Sequence, residues 1–376
     1  MDVNTCIRQI EEEIALCRSR IDSELHTIAL KGRDRNNLCP ISKILPEVLA
    51  DIFILFAQDP ISWFTEPHES VGPYSWIVVA HVCHSWREAA LSTPRLWSYI
   101  YLGMSERIKV FIERSRQAPL TILPWVSRSN GYPRNQTISS LPASARAASL
   151  RLVLAQSYRI QSLHVELQER IVERAFGPFK ECGFYAPILK EIRFKMSSPM
   201  HSSIFPDILL QDHLPRLTYV ELQGYHDPWR FLLPRSNLTT LIIRNAYKDS
   251  DPSYTEQLLT CLSHMSQLRM LEVSTERCTG QCESSHQSIG SVPPVDLPYL
   301  EVLILQLASA PVDRLVSHCQ YPPSTHVSLN TVLHHDHPRQ IRSDSDTCSI
   351  MLNCLHRSNR NDGFESDSPK IGRAHV

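Results

Sequence analysis

Apolar positions along this chain follow three different periods. Between residues 5 and 30, Ile7, Ile10, Ile14, Cys17, Ile21 and Ile28 recur at three- and four-residue steps, interrupted at Glu24, with Glu11, Glu12, Glu13, Arg18 and Arg20 on the other faces. That is a heptad seam. It predicts a helix over 5–32, stopped by Gly32 and the polar run 31–37. Two outcomes fit the seam: a coiled coil that dimerises the chain, or one amphipathic helix laid against the body. From Leu45 the stripe widens. Pro46 suits a first helical turn and Glu47 the positive end of the helix dipole, and Val48, Leu49, Ile52, Phe53, Leu55 and Phe56 then paint a broad apolar face. The spacing predicts a helix over 46–57, and Pro60, Pro67, Gly72 and Pro73 mark a loop after it. Ser75 is the expected N-cap of a second helix through Trp76, Val79, Val82 and Cys83. A third runs from Trp86 to Leu91, and Thr93-Pro94 restarts the chain before Leu96 and Trp97.

Beyond residue 120 a repeat takes over, of the form apolar-x-x-apolar-x-apolar. It reads Ile160/Leu163/Val165, Leu189/Ile192/Phe194, Leu217/Val220/Leu222, Leu238/Leu241/Ile243, Leu268/Leu271/Val273 and Leu300/Leu303/Leu305, with starts 21 to 32 residues apart. The last two positions of each unit alternate as a strand with one buried face does. Ala186-Pro187, Leu214-Pro215 and Leu297-Pro298 introduce three of the strands, and helix-sized stretches such as Val165–Phe176 and Tyr254–Met265 lie between them. A strand and a helix per repeat predict an α/β solenoid of parallel strands over 104–335, irregular and leucine-rich-repeat-like. The asparagine usual after such a strand is replaced by Gln168, Ser197, Tyr225, Ala246, Glu276 and Ala308. A generic α/β domain with parallel strands is the alternative. In the solenoid, residues between the buried pairs face the concave side. The candidate partner-binding row is Arg193, Glu221, Ile242, Glu272 and Ile304, with His164 at its start. A merely solvated sheet face would carry the same mixture.

Composition narrows the function. The 376 residues carry a formal net charge of -1, which gives no electrostatic footprint for nucleic acid or an anionic membrane. Glycine is scarce at 11 and proline plentiful at 26, so short elements are punctuated rather than flexibly linked. Eleven scattered cysteines and no apolar leader point to free thiols in the cytoplasm or nucleus, and no apolar run is long enough to span a bilayer. No nucleophile elbow, phosphate-binding loop or zincin motif occurs, so neither an enzyme nor a cofactor is expected. Cys278, Cys282 and His286 have loose metal spacing and His334, His335 and His337 cluster, but nothing pairs the groups into four zinc ligands. A polar, disordered tail is expected over 336–376, and its last six residues, 371–376, read as the translation of a sequencing adapter.

Leu45-Pro-Glu-Val-Leu49, Ile52-Phe53, Val82-Cys-x-x-Trp86-Arg87 and Pro94-x-Leu-Trp97 together resemble the F-box of F-box-like proteins of mushroom-forming fungi. The isoleucine heptads, Cys39-Pro-Ile-Ser42 and Phe111-Ile-Glu-Arg-Ser115 followed by Pro119-Leu120 are similar to what flanks that F-box. Two departures stand out: Leu45-Pro46 where the family often has two prolines, and a long loop from Gln58 to Tyr74. The resemblance implies a small three-helix F-box over 41–103 that docks a Skp-type adaptor and, through it, a cullin ubiquitin-ligase core. Leu45, Pro46, Val48, Leu49, Ile52, Phe53, Val82, Cys83 and Trp86 are then the adaptor-binding residues. For Phe53, Trp86 and Trp97 a core role is equally open. The expected protein is a non-catalytic substrate receptor with a protein target of unknown identity, or else a repeat scaffold that binds partners without a ligase.

Overall fold

A single helix, α1 (Val3–Asn37), occupies the start of the chain and buries none of its residues. The computed structural model describes residues 2–58, 74–124, 141–179, 183–196, 214–225, 232, 236–244, 252–274, 294–307 and 309–331. Gly32 does not end α1, which continues to Asn37. A Cβ there would meet nothing within 4 Å, so the glycine sits on an open helical surface. Arg35 in the last turn complements the negative helix end. The chain divides into two units, Met1–Tyr99 with Phe111–Ala118, and Ile100–Val110 with Pro119–Val376. This differs from the expected break at 103/104 by returning Phe111–Ala118 to the first unit. The metal-spaced residues Cys278, Cys282, His286, His334, His335 and His337, the loop 59–73 and the tail 336–376 lie outside the described residues.

In the first unit, α1 is followed by a 3-10 turn (Pro40–Lys43), α2 (Pro46–Gln58), a 3-10 helix (Ser75–His81), α3 (His84–Ser92) and a 3-10 turn (Pro94–Ser98). Helix α2 starts on Pro46 as expected. The second helix differs from expectation: it is a 3-10 helix, its cap position is Tyr74 rather than Ser75, and it stops at His81. Ile77-Val78-Val79 supplies three consecutive β-branched residues, which crowd an α-helical turn. Cys83 is extended, with φ -157° and ψ 174°, so it breaks the backbone before α3. The core gathers Trp76, Trp97 and Phe111 edge to face, with ring centroids 5.1 Å apart for Trp76–Trp97 and 5.2 Å for Trp97–Phe111. Trp97 Nε1 donates to the Ala90 carbonyl at 2.8 Å, and the Arg114 guanidinium lies 4.3 Å from the Trp97 ring centroid.

The second unit is a mixed α/β body. Its strands are β1 (Tyr99–Tyr101, begun in the first unit), β2 (Leu120–Leu123), β3 (Ile160–Leu167), β4 (Glu191–Met196), β5 (Tyr219–Gln223), β6 (Thr240–Arg244), β7 (Met270–Ser274), β8 (Val295–Asp296), β9 (Val302–Leu307), β10 (Cys319–Gln320) and β11 (His326–Thr331). Nine of them form one sheet in the order β1-β2-β3-β4-β5-β6-β7-β9-β11, while β8 and β10 pair apart. From β2 to β11 every pairing in that sheet is parallel. Helices α4 (Ser105–Arg114, which runs on into the first unit), α5 (Ala143–Leu154), α6 (Glu169–Phe176), α7 (Pro252–Leu262) and α8 (Ser309–His318) are interspersed. Helix α6 is amphipathic and buries Ile171, Val172, Ala175 and Phe176.

Register carries the repeat into space. Leu163, Ile192, Val220, Leu241, Leu271 and Leu303 stand opposite one another in a row, and so do Val165, Phe194, Leu222, Ile243, Val273 and Leu305. All twelve are buried. The turn before β4, β5, β7 and β9 recurs as well. Leu189, Leu217 and Leu300 donate N–H to the carbonyls of Ala186, Leu214 and Leu297, at 3.2, 3.2 and 3.1 Å, around the proline in second position. Met265 to Leu268 makes the same bond at 3.0 Å without a proline. Next to each turn, one carbonyl of the preceding strand accepts from the following one, through Gln161, Lys190, Thr218, Thr239, Arg269 and Glu301 in succession. Gly224 leaves β5 at φ +78°, where a Cβ would come within 3.2 Å of Met196 Cβ and carbonyl oxygen, so glycine is needed there twice over.

Truncating Leu271 to Ala in the middle of the inner row should cost roughly 2–5 kcal/mol. The exposed Gln306, on the opposite face of β9, should tolerate Ala to within about 0.5 kcal/mol. Urea unfolding of the two variants beside the wild type reads both values.

Candidate functional site

Helix α2 is apolar on more sides than its own fold uses. Leu49, Phe53, Ile54 and Ala57 point inward and are 2–6% exposed. Leu45 (64%), Val48 (47%), Ile52 (48%) and Leu55 (66%) remain open to solvent. Steps of three, four and three residues place those four on one stripe. A solvent-facing helix stripe is ordinarily polar, and since full burial of such a side chain is worth about 1.5–3 kcal/mol, covering what remains open of each would be worth roughly half of that. Pro46 is exposed at the head of the stripe.

Of the residues the sequence nominated for adaptor binding, Leu45, Pro46, Val48, Ile52 and Val82 (56%) are therefore exposed. Leu49 and Phe53 are not surface residues: they belong to the core of the first unit. Trp86 is half-buried, its ring centroid 5.2 Å from that of Phe53, so it braces α2 against α3. Cys83 is half-buried with Sγ 3.2 Å from Ser85 Oγ at the start of α3. Trp97 lies at 2% exposure and takes the core role. Leu55 and Val78 (58%) are exposed apolar residues the sequence reading did not nominate. Leu55 sat in the predicted stripe, but nothing in its spacing separates it from Leu49.

The polar face of the sheet is the second candidate. His164, Arg193, Glu221, Ile242, Glu272 and Ile304 stand in one row across β3, β4, β5, β6, β7 and β9. The neighbouring rows hold Glu191, Tyr219 and Thr240 on one side, and Lys195, Gln223 and Arg244 on the other. Opposite charges meet along a strand, across the row and diagonally between rows. Glu191 Oε1 receives Arg193 Nε at 2.6 Å, and Arg193 Nη1 stands 3.6 Å from Glu221 Oε2. Arg244 closes the chain, donating from Nη1 to Glu221 at 2.6 Å and from Nε and Nη2 to the two Glu272 oxygens at 2.6 and 3.0 Å. The Arg193 guanidinium also lies 4.7 Å from the Tyr219 ring centroid.

These contacts set the ionisation of the face. His164, whose Nε2 is 3.2 Å from Glu191 Oε1, and then Arg193 hold the Glu191 carboxyl down at about 2 against the opposing effect of burial. At that distance His164 and Glu191 are within ion-pair reach but not aligned as a hydrogen bond. The paired guanidinium of Arg244 is held up, first by its hydrogen bond to Glu272. Tyr219 is pushed up to about 12 by burial and by the Glu221 carboxylate. Ile242 is only 4% exposed, although the row placed it at a binding surface. Glu221 and Glu272 flank it and Arg244, next on the same face, bridges the two, which removes it from direct contact. The sequence reading missed Glu191 and Tyr219, because it followed one row while their contacts reach it from the neighbouring row.

Among the described residues no group of three or more His, Cys, Asp or Glu side chains is placed to hold a metal ion, and no helix is long and apolar enough to cross a membrane. The described cysteines, Cys6, Cys17, Cys39, Cys83, Cys261 and Cys319, are not joined in disulfides. Compared with models of known protein families and with curated proteins, the chain matches none.

Two outcomes follow from the two faces. Leu49→Ala should destabilise the first unit by roughly 2–5 kcal/mol, while Leu55→Ala should shift its melting temperature little, as thermal unfolding followed by tryptophan fluorescence will show. For Glu191 the carboxyl is lower when folded than its ordinary 4.5, so its contribution is complete above about pH 5 and fades as pH falls towards 2. Glu191→Gln should accordingly lose roughly 1–2 kcal/mol at pH 7. The gap between variant and wild type should close in urea titrations run at progressively lower pH.

Proposed function

We propose that the chain is an F-box-type substrate receptor. Its first unit docks a Skp-type adaptor, and its second unit, a leucine-rich-repeat-like solenoid, presents a polar sheet face to a protein target. One observation carries the reading: α2 remains apolar on a second face after its own core is built, and Leu45, Val48 and Ile52 on that face belong to the motif that resembles the F-box. The adaptor-binding set narrows to Leu45, Pro46, Val48, Ile52 and Val82, with Leu55 and Val78 added as exposed neighbours in sequence. Leu49, Phe53 and Trp86 act from beneath by fixing how α2 meets α3.

Four aliphatic anchors worth at most about 1.5–3 kcal/mol each on full burial roughly offset the cost of association, so the net affinity comes from the rest of the adaptor interface. The sheet face favours a protein or peptide target over a nucleic acid. Its guanidiniums are neutralised by carboxylates, leaving no basic track for phosphates. Arg193, with its side chain 46% exposed, is the most accessible charged group of the row. In the solenoid reading the strands follow one another in chain order, and their matched turns give each repeat the same entry into the sheet. Such a receptor positions a target while other subunits transfer ubiquitin. The rival, a scaffold with no ligase, shares the sheet face and differs only in what covers α2.

Co-purification with a Skp-type adaptor separates the two. The wild type should be retained, and Leu45→Asp/Ile52→Asp should weaken retention by about 100-fold or more, two buried charges being far costlier than two lost methyl groups. Both positions are exposed, so the urea midpoint of the double variant should match the wild type. A wild type that fails to bind the adaptor, or a variant that binds equally well, overturns the ligase reading.

A further inference from the structure

Helix α1 leaves its heptad seam uncovered. Ile7 (49%), Ile10 (55%), Ile14 (47%), Ile21 (57%) and Ile28 (65%) are all exposed, and no residue of the helix is buried. At 35 residues, it runs about 50 Å, long enough to form a stable two-stranded coil if its seam is matched. Of the two outcomes the seam allowed, the one that lays the helix against the body is not seen, since none of its residues is buried. With Ile7, Ile14, Ile21 and Ile28 as one seam position, the other holds Val3, Ile10, Cys17, Glu24 and Lys31.

We infer that α1 pairs with α1 of a second copy of this chain, antiparallel, centred between Ile14 and Cys17. The charges flanking the seam favour a second copy as partner, and the charges inside it decide the direction. Glu11 and Glu13 border its first half, Arg18 and Arg20 the half that follows, and the basic excess continues through Lys31, Arg33 and Arg35. Laid head to tail, Glu11 comes beside Arg18 of the second copy and Glu13 beside Arg20, and the two-fold axis repeats both pairs. In the seam Ile14 meets Cys17, Ile10 meets Ile21, and Glu24 meets Ile7 near the end of the overlap, where its carboxylate reaches water. A parallel pair instead stacks Glu24 on Glu24 and Lys31 on Lys31, two like-charge contacts inside the seam. The helix is thus complementary to its own reverse. The inference does not rest on the adaptor-docking reading, because it uses α1 alone.

The full chain, purified without an adaptor, is the material for the test. Sedimentation equilibrium at micromolar concentration should give the mass of two chains, and Ile10→Asp/Ile14→Asp the mass of one. Since α1 buries nothing within its own unit, tryptophan fluorescence of that variant should be unchanged. Direction is read by Ile14→Cys under mild oxidation with peptide mapping. An inter-chain link between the introduced thiol and Cys17 of the second copy is expected, and a Cys17-to-Cys17 link in the wild type is not. A single-chain mass for the wild type, a trimer or larger, or a predominant Cys17-to-Cys17 link overturns the inference. Dimerisation without adaptor binding would sink the receptor reading and leave this one standing.

Discussion

Strand register in the parallel sheet is the constraint on which the second unit depends. A slip of one residue would carry Arg193, Glu221 and Glu272 into the interior and bring Ile192, Val220 and Leu271 to the polar face. Two devices oppose that slip, both of them at β4, β5, β7 and β9. The i to i+3 turn before the strand fixes where it begins, with buried Leu189, Leu217, Leu268 and Leu300 as its anchors. The shared carbonyl next to the turn, from Gln161 through Glu301, then ties each entry to its predecessor. Intervals between repeats differ widely, yet each strand enters at the same height. Loop length is free because loop-closure entropy grows only slowly with length.

The same register gives the polar face its character. Carboxylates and guanidiniums pair along β4 (Glu191–Arg193), directly across to β5 (Arg193–Glu221) and diagonally from β6 (Arg244 to Glu221 and Glu272). A surface wired in this way presents hydrogen-bonding edges with little free charge. Specificity for a partner on such a face comes from shape and from breaking or retaining particular pairs, more than from long-range attraction.

In the first unit the governing fact is different: there is more apolar surface than one small core can hold. Helix α2 spends Leu49 and Phe53 inside and leaves Leu45, Val48, Ile52 and Leu55 outside. Helix α1 leaves its whole seam outside. Each exposed stripe has the straight, regularly spaced geometry that another helix or a docking groove can cover. The Trp76–Trp97–Phe111 cluster, pinned by the Trp97 bond to Ala90, supplies the rigid base without which α2 could not be held with its stripe outward.

Periodicity was legible in the sequence because it is local. The heptads of α1, the start of α2 at Pro46 and the alternation within β3 to β9 follow from backbone geometry over a few residues, and each lies where its spacing puts it. Even the shared row from Arg193 to Ile304 could be read, since equal offsets within repeats become equal positions across strands. Burial was not legible. Leu49 and Ile52 have the same chemistry and nearly the same direction on α2, and only the seating of α3, through Phe53 and Trp86, turns one inward and leaves the other exposed. Ile242 was counted as surface until Arg244 bridged the carboxylates on either side of it. The sequence by itself determined which residues share a face. Only the tertiary structure decided which faces are used up, because that depends on contacts between segments that no local spacing records.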